Sequence, residues 1–260
     1  MPATEDDLAL LLDATRAAGA VAMGFFRRTP AWRDKGGGQG PVSEADLAVD
    51  ATLRAALLGA RPDHGWLSEE APDGPDRLAR ARVFVVDPID GTRSFLAGDT
   101  GWGLSVALVE AGRPVAAVMH MPAQAATYAA SAGAGAHRDG APLRPSGRLE
   151  PRGARVLANR ASLDPGRWPM GPPPVERHVR PALAHRLCLV AEGAFDAVLS
   201  LGPVWEWDVA AGALIAAEAG AVVTDRDGRP LRFNTPDRRG PGLVAATPGV
   251  HGALLGGVAA

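Results

Sequence analysis

Val85-Val86-Asp87-Pro88-Ile89-Asp90-Gly91-Thr92-Arg93-Ser94-Phe95 reads as a short apolar strand that runs into two aspartates three residues apart and then turns at a glycine. Charge is an unusual thing to place at the end of such a strand. A carboxylate at a strand end and a second on the following turn can converge on one point. Hard oxygen ligands there suit Mg²⁺, and the Ile89 carbonyl can add a further donor. If a helix opens near Gly91, its free amides face the same point and can hold a phosphate. Each piece alone also reads as an ordinary Asp-Pro or Asp-Gly turn, with Thr92 capping a helix.

Outward from that string, further strands are expected at residues 104–109, 115–120 and 126–131, joined as hairpins. Upstream, residues 4–27 place Leu8, Leu11, Leu12, Ala18, Ala22 and Phe25 near one helical face, mildly interrupted by Thr15 and Gly19, with Thr4 as N-cap. A second helix is expected from Ser43 towards Leu58, burying Leu47, Leu53 and Leu57. Lys35-Gly36-Gly37-Gly38-Gln39-Gly40 between them is too glycine-rich for a regular element and reads as a mobile loop. Past a Pro- and Gly-rich loop at 164–174, a helix is expected near 182–192, a strand near 195–200 and a helix from Asp208 to Ala219. The glycines and prolines of 133–145 suggest a seam between two α/β halves. Residues 1–140 would carry most of the candidate ligands, and residues 141–260 would carry Asp208 and the specificity elements.

The 260 residues are 47% hydrophobic, enough to fill a sizeable core. With 27 basic and 29 acidic residues and no long run of one sign, the chain lacks the basic footprint of a nucleic-acid binder, so a small-molecule partner is expected. The one cysteine, Cys188, lies in an apolar stretch and reads as a buried thiol suited to a reducing cytoplasm. Met1 to Asp7 is acidic rather than basic and apolar, unlike a secretory signal, and no run of eighteen uninterrupted apolar residues suggests a membrane span. The six histidines show no zinc-binding spacing, and the glycines after Lys35 do not make a P-loop.

Asp87-Pro88-Ile89-Asp90-Gly91-Thr92, followed after two residues by Phe95, resembles the signature of the inositol monophosphatase family, with Ser94 where many members carry Asn. Trp66-Leu67-Ser68-Glu69-Glu70 looks like the family's Gly-Glu-Glu element, with Ser68 replacing the glycine. Trp207-Asp208-Val209-Ala210-Ala211-Gly212 and then Glu218-Ala219-Gly220 is similar to its second signature. Val42-Ser43-Glu44-Ala45-Asp46 looks like its Val-Thr-x-Ala-Asp element, although Ser43 and Asp46 also fit a capping box and Asp208 a helix cap. Lys35 matches a lysine of the family's mobile loop.

The resemblance implies a layered α/β/α/β/α sugar-phosphatase fold and a cytoplasmic phosphoric monoester hydrolase, often a homodimer, using two or three Mg²⁺ ions. It implies that Glu69, Asp87 and the Ile89 carbonyl hold one ion, that Asp87, Asp90 and Asp208 hold a second, and that Glu70 supports the site. Thr92, oriented by Asp46, would take the proton of the attacking water, while the Gly91 and Thr92 amides bind phosphate.

For substrate, inositol-phosphate members carry a hydroxyl-binding carboxylate shortly before the Trp-Asp signature, where this chain offers Ser200. Leu187-Cys188-Leu189-Val190-Ala191-Glu192-Gly193, Leu201-Gly202-Pro203 with Glu206, and Gly228-Arg229-Pro230-Leu231-Arg232-Phe233-Asn234 look closer to bacterial 3'(2'),5'-bisphosphate nucleotidases. The expected reaction is conversion of 3'-phosphoadenosine 5'-phosphate to AMP. Inositol-1-monophosphatase is the alternative, as is histidinol-phosphate phosphatase, which Gly91-Thr92-Arg93-Ser94-Phe95 resembles. A non-catalytic binding module is disfavoured because Asp46, Glu69, Asp87, Asp90, Thr92 and Asp208 are all present.

Overall fold

The acidic string lies in the second strand of a seven-stranded sheet, and that sheet organises the chain. The computed structural model describes residues 5–37 and 39–257, so Thr4 as a cap and Gly38 in the glycine-rich loop lie outside the described residues. Helices α1 (Glu5–Phe25) and α2 (Glu44–Ala60) pack on each other and on one face of the sheet. Between them β1 (Trp32–Asp34) and β2 (Pro41–Ser43) form an antiparallel ribbon that carries the glycine-rich segment at its tip.

The large sheet runs in chain order: β3 (Gly65–Ser68), β4 (Arg82–Asp90), β5 (Gly103–Glu110), β6 (Arg113–Met121), β7 (Ala126–Ser131), β8 (Gly135–Arg138) and β9 (Ala141–Pro142). β3 is parallel to β4, and the remaining pairs are antiparallel, as the expected hairpins require. Helix α3 (Thr92–Leu96) links β4 to β5.

The second half contributes β10 (Arg155–Ala158), β11 (Glu176–His178), α4 (Leu183–Ala191), β12 (Ala197–Ser200), β13 (Val204–Trp205), α5 (Ala210–Glu218), β14 (Val222–Thr224), β15 (Arg239–Gly240), β16 (Leu243–Ala246) and α6 (Pro248–Leu255). Its five-stranded sheet has the order β11-β10-β12-β16-β14, and β13 and β15 form a separate ribbon. Helices α4 and α5 lie between the two sheets and α6 covers the outer face of the smaller one, which gives five layers, α/β/α/β/α.

The layering explains why Val106 to Val109 reads as a continuous apolar run instead of an alternating one. Phe84, Val86, Val106, Leu108 and Val118 point towards α1 and α2, while Val83, Val85, Ala107, Val109 and Met119 point towards α4 and α5. Ala210 to Ala216 is buried all round, as a helix clamped between two sheets must be.

Some expectations need correction. Leu53 and Leu57 are buried, but Leu47 is 48% exposed. The buried stripe of α2 is Ala45, Val49, Leu53 and Leu57, stepping four residues at a time, and Leu47 falls on the opposite side. In α1, Thr15 and Gly19 are part of the buried face rather than interruptions of it, and the Thr15 hydroxyl is satisfied by the Leu11 carbonyl. By length and composition α1 could cross a membrane, yet its Leu11, Ala14, Ala18 and Ala22 stripe is packed in the core. The helix expected from Asp208 starts at Ala210 with Val209 in the N-cap position, so Asp208 does not cap it.

Candidate active site

The site begins with an irregularity in β4. Asp87 is opposite Ser105 and Asp90 opposite Gly103, so β4 carries one extra residue there and bulges. A side chain at position 103 would bring its Cβ within 2.5 Å of the His120 carbonyl, which is why the partner strand has glycine. The bulge turns both carboxylates out of the pleat; Asp87 Oδ1 accepts the Ile89 N–H at 3.0 Å. Gly91 then adopts φ +95°, where a Cβ would also press on the Gly101 carbonyl, and delivers the chain into α3.

One carboxylate oxygen each of Glu69, Asp87 and Asp208 lie within 4.8 Å of one another. They come from the end of β3, the bulge of β4 and the residue before the α5 N-cap position. Burial, and then the charges of Glu69 and Asp90, push the Asp87 carboxyl well above the usual carboxylate range. Burial, and then Asp90 and Glu69, do the same to Asp208. An all-oxygen set crowded to mutual repulsion is the donor chemistry that Mg²⁺ satisfies. The residues therefore fit a magnesium site.

Asp90 lies beside that trio but has a second task. Its Oδ1 and Oδ2 accept the Leu183 and Ala184 amides at 3.1 and 2.8 Å, the first turn of α4. Burial raises its pKa to about 7 against those hydrogen bonds. Each oxygen keeps a lone pair free of these contacts.

Behind the trio, the Asp46 carboxylate divides its two oxygens. Oδ2 accepts the Ser43 N–H at 2.8 Å and the Ser43 hydroxyl at 2.6 Å, which ties the N-terminus of α2. Oδ1 lies 3.1 Å from Thr92 Oγ1. The capping box and the threonine-orienting contact coexist on one side chain. Thr92 is the first helical residue after Gly91, and its hydroxyl reaches Asp46 and the Ile89 carbonyl (3.0 Å) rather than an amide of its own helix, so it is not a cap.

Lys35 enters the same cluster, donating to Glu69 and, at 2.9 Å, to Glu70. Burial opposes its charge, but the two glutamates outweigh burial and hold the ammonium above its ordinary range. Burial raises Glu70 to about 7. Ser68, in place of the expected glycine, donates its hydroxyl to the buried Asp50, one helical turn after Asp46 on α2, and braces the start of the Glu69-Glu70 segment.

These groups open on a cleft of about 380 Å³ whose lining includes Glu69, Asp87, Ile89, Asp90, Gly91, Thr92 and Asp208. Ser200 is not brought to it: this residue ends β12, paired with Leu243 of β16. Two cationic lining residues, Arg93 and Arg186, are absent from the site residues read from the sequence. Arg186 lies in the first turn of α4, and nothing in its sequence neighbourhood announces that this turn faces Asp90. A wider depression of about 650 Å³ near Arg148 and Arg155 is a different feature, since both guanidinium groups there are paired with the buried Asp196.

Residues 4–258 match the sequence profile described as the inositol monophosphatase family. Over 234 residues, 88% of this chain and 89% of the relative, the sequence is 37% identical to a Streptomyces griseus protein named glucose-1-phosphate thymidylyltransferase. It is 33% identical to the 3'(2'),5'-bisphosphate nucleotidase of Escherichia coli K12, over 74% of this chain and 79% of that one. It is 36% identical to the inositol-1-monophosphatase of Rhizobium meliloti, over 72% and 73% respectively. The extragenic suppressor protein suhB of Bartonella henselae superposes with a TM-score of 0.81 at 25% identity, covering 96% of each chain. A full-length profile match, relatives above 30% identity and the same five-layered fold place this chain in the inositol monophosphatase family, whose members are phosphoric monoester hydrolases.

Proposed function

We propose that the chain removes the 3'-phosphate from a 3',5'-bisphosphorylated nucleoside such as 3'-phosphoadenosine 5'-phosphate. The observation that carries this reading is the placement of Arg186 and Arg93 on the cleft lined by the carboxylate cluster. Arg186 Nε donates to the Arg180 carbonyl at 2.6 Å, and its Nη groups make no hydrogen bond among the described residues. Burial weakens its charge while Asp90 and Asp208 favour it, so a second anionic group on the substrate would relieve a half-buried cation. A polyol has less to bind: Glu206, the carboxylate just before Trp207 and Asp208, is 2% exposed, does not line the cleft and accepts hydrogen bonds from Asn234 and Thr235.

Glu69, Asp87 and Asp208 would hold Mg²⁺, with the Ile89 carbonyl and Asp90 beside it, and bound Mg²⁺ would supply Lewis-acid polarisation of phosphate and water. The protein's own groups do the rest. The Thr92 hydroxyl donates to Asp46 and the Ile89 carbonyl, which leaves its oxygen lone pairs to accept the proton of an attacking water while Thr92 passes its own proton to the Asp46 carboxylate. Gly91, Thr92 and Arg93 amides stand at the opening of α3, where no intrahelical acceptor exists, and donate to the phosphoryl oxygens. Lys35 neutralises Glu69 and Glu70 at the edge of the same site.

The test is a comparison of kcat/KM for 3'-phosphoadenosine 5'-phosphate, inositol 1-phosphate, histidinol phosphate, fructose 1,6-bisphosphate and glucose 1-phosphate. The bisphosphorylated nucleoside should lead inositol 1-phosphate by at least about tenfold, the ratio that roughly 1.4 kcal/mol of transition-state binding gives. A preference for inositol 1-phosphate would replace this substrate and leave the phosphatase.

A further inference from the structure

The three clustered carboxylates reach one point on segments that are far apart in sequence. Glu69 follows β3 and Asp208 precedes α5, and a chain of polar contacts away from the cleft joins the segment from Asp73 to Arg77, a few residues after Glu69, to Glu206, two residues before Asp208. Arg77, 4% exposed in the turn Pro75–Ala79, donates Nε to Asp73 at 2.6 Å, Nη1 to Asn234 Oδ1 at 2.6 Å and Nη2 to the Thr235 carbonyl at 2.9 Å. Asn234 Nδ2 returns a bond to the Arg77 carbonyl at 3.3 Å. The next link is Glu206, 2% exposed: Asn234 N–H donates to its Oε2 at 2.6 Å, and both Thr235 N–H, at 2.9 Å, and the Thr235 hydroxyl donate to its Oε1.

The backbone of Glu206 is engaged as well. Its N–H donates to the Arg238 carbonyl at 3.0 Å, and its carbonyl accepts Val209 N–H at 3.1 Å and Ala210 N–H at 2.8 Å. Asp208 is thus framed by contacts two residues before it and immediately after it. Ser105, opposite Asp87, donates to the Trp207 carbonyl at 3.0 Å and fixes the remaining side.

We propose that Arg77 and Glu206 are positioning residues that hold Asp208 against Glu69 and Asp87 and thereby set the affinity of the site for Mg²⁺. Without metal the carboxylates repel, so the last of them to join the cluster moves outward unless its backbone is braced. A buried polar network with its bonds made is stiff in the required way. Arg77 does not line the cleft, so its effect on the metal passes through its partners: Asn234 and Thr235 to the Glu206 carboxylate, and Asp73, ion-paired with Arg238 at 3.5 Å, to the carbonyl that accepts the Glu206 N–H. The inference rests on the magnesium-site reading alone and is independent of which phosphate ester is the substrate.

The experiment is calorimetric titration of Mg²⁺ into the metal-free full-length chain, wild type beside Arg77→Lys, Glu206→Gln and Thr235→Val. Leu254→Ala is the control: it lies fully buried in α6, on the far side of the smaller sheet, and lowers stability without touching the brace. Arg77→Lys and Glu206→Gln should weaken Mg²⁺ binding about ten- to a hundredfold, as partners behind metal ligands do, with kcat at saturating Mg²⁺ nearly retained. Thr235→Val, which deletes one hydroxyl, should weaken it less and remains informative if the first two do not fold. Wild-type affinity in any folded brace variant, or equal weakening by Leu254→Ala, overturns the proposal. No Mg²⁺ binding by the wild type would overturn it together with the magnesium site, whereas a changed substrate preference would leave it standing.

Discussion

Asp46 and Thr92, 46 positions apart, meet at 3.1 Å through the one Asp46 oxygen that the cap of α2 does not use. The side chain therefore serves the helix and the site at once, while Thr92 serves only the site. Burial raises the Asp46 pKa against the hydrogen bonds from Ser43 and Thr92, so this carboxylate is a better proton acceptor than an exposed one.

That division predicts different outcomes for the two alanine variants. Asp46→Ala should lose on the order of 1 kcal/mol as a cap and about a hundredfold in kcat. Thr92→Ala should show the loss in kcat with little change in melting temperature, and Thr92→Ser should keep much of the activity. Parallel kcat and Tm measurements decide; near wild-type turnover by Thr92→Ala would remove it from the proton path.

Asp90 carries a prediction whose sign depends on the structure. Viewed as crowded charge alone, Asp90→Asn would relieve repulsion and raise the melting temperature of the metal-free protein. Both of its oxygens, however, accept amides of α4. The Asn side chain keeps one acceptor and turns an NH₂ towards the other amide, leaving a buried donor unmatched at a cost of about 1–3 kcal/mol. The metal-free variant should melt lower than wild type, and its kcat should fall about tenfold or more. A higher Tm in EDTA would show that repulsion dominates.

The pH dependence follows from Glu70 and Asp90, both raised by burial to about 7 from ordinary values of 4.5 and 3.8. Groups raised on folding bind protons more tightly in the native state, so they stabilise below their ordinary values and lose that contribution as pH rises through about 7. The metal-free protein should therefore lose melting temperature between about pH 5 and about pH 8, and the increase caused by Mg²⁺ should grow over the same interval as the carboxylates ionise. Melting curves in EDTA and in Mg²⁺ across that range test it. A Mg²⁺ effect independent of pH would contradict it.

Arg186→Gln bears on substrate. If its guanidinium holds a second phosphate, the loss of a charge-assisted contact worth about 1.5–3 kcal/mol should lower kcat/KM for 3'-phosphoadenosine 5'-phosphate at least about tenfold. Turnover of inositol 1-phosphate should change little. Equal loss on both substrates would place Arg186 at the scissile phosphate instead.

What could be read from the chain beforehand divides along physical lines. The β4 string and the apolar runs of β5 to β7 are local signals, so their strands and hairpins were legible. Glu69, Asp87 and Asp208 form a group only because three separate elements converge, and their grouping was legible through family resemblance alone. The side on which Leu47 lies, the partnering of Lys35 with Glu69 and Glu70, and the direction of Arg186 depend on which neighbours arrive from elsewhere in the chain. Ser200 shows the converse: counting back from Trp207 and Asp208 nominates it, but it ends β12 opposite Leu243 and does not line the cleft.

The central claim, that this carboxylate cluster is the centre of a magnesium-dependent phosphatase, is tested most directly by phosphate release from 3'-phosphoadenosine 5'-phosphate before and after metal is removed. The purified chain should release inorganic phosphate in Mg²⁺, stop after chelation by EDTA, and recover when excess Mg²⁺ is restored. Release that continues undiminished in the chelated and dialysed protein would contradict the account.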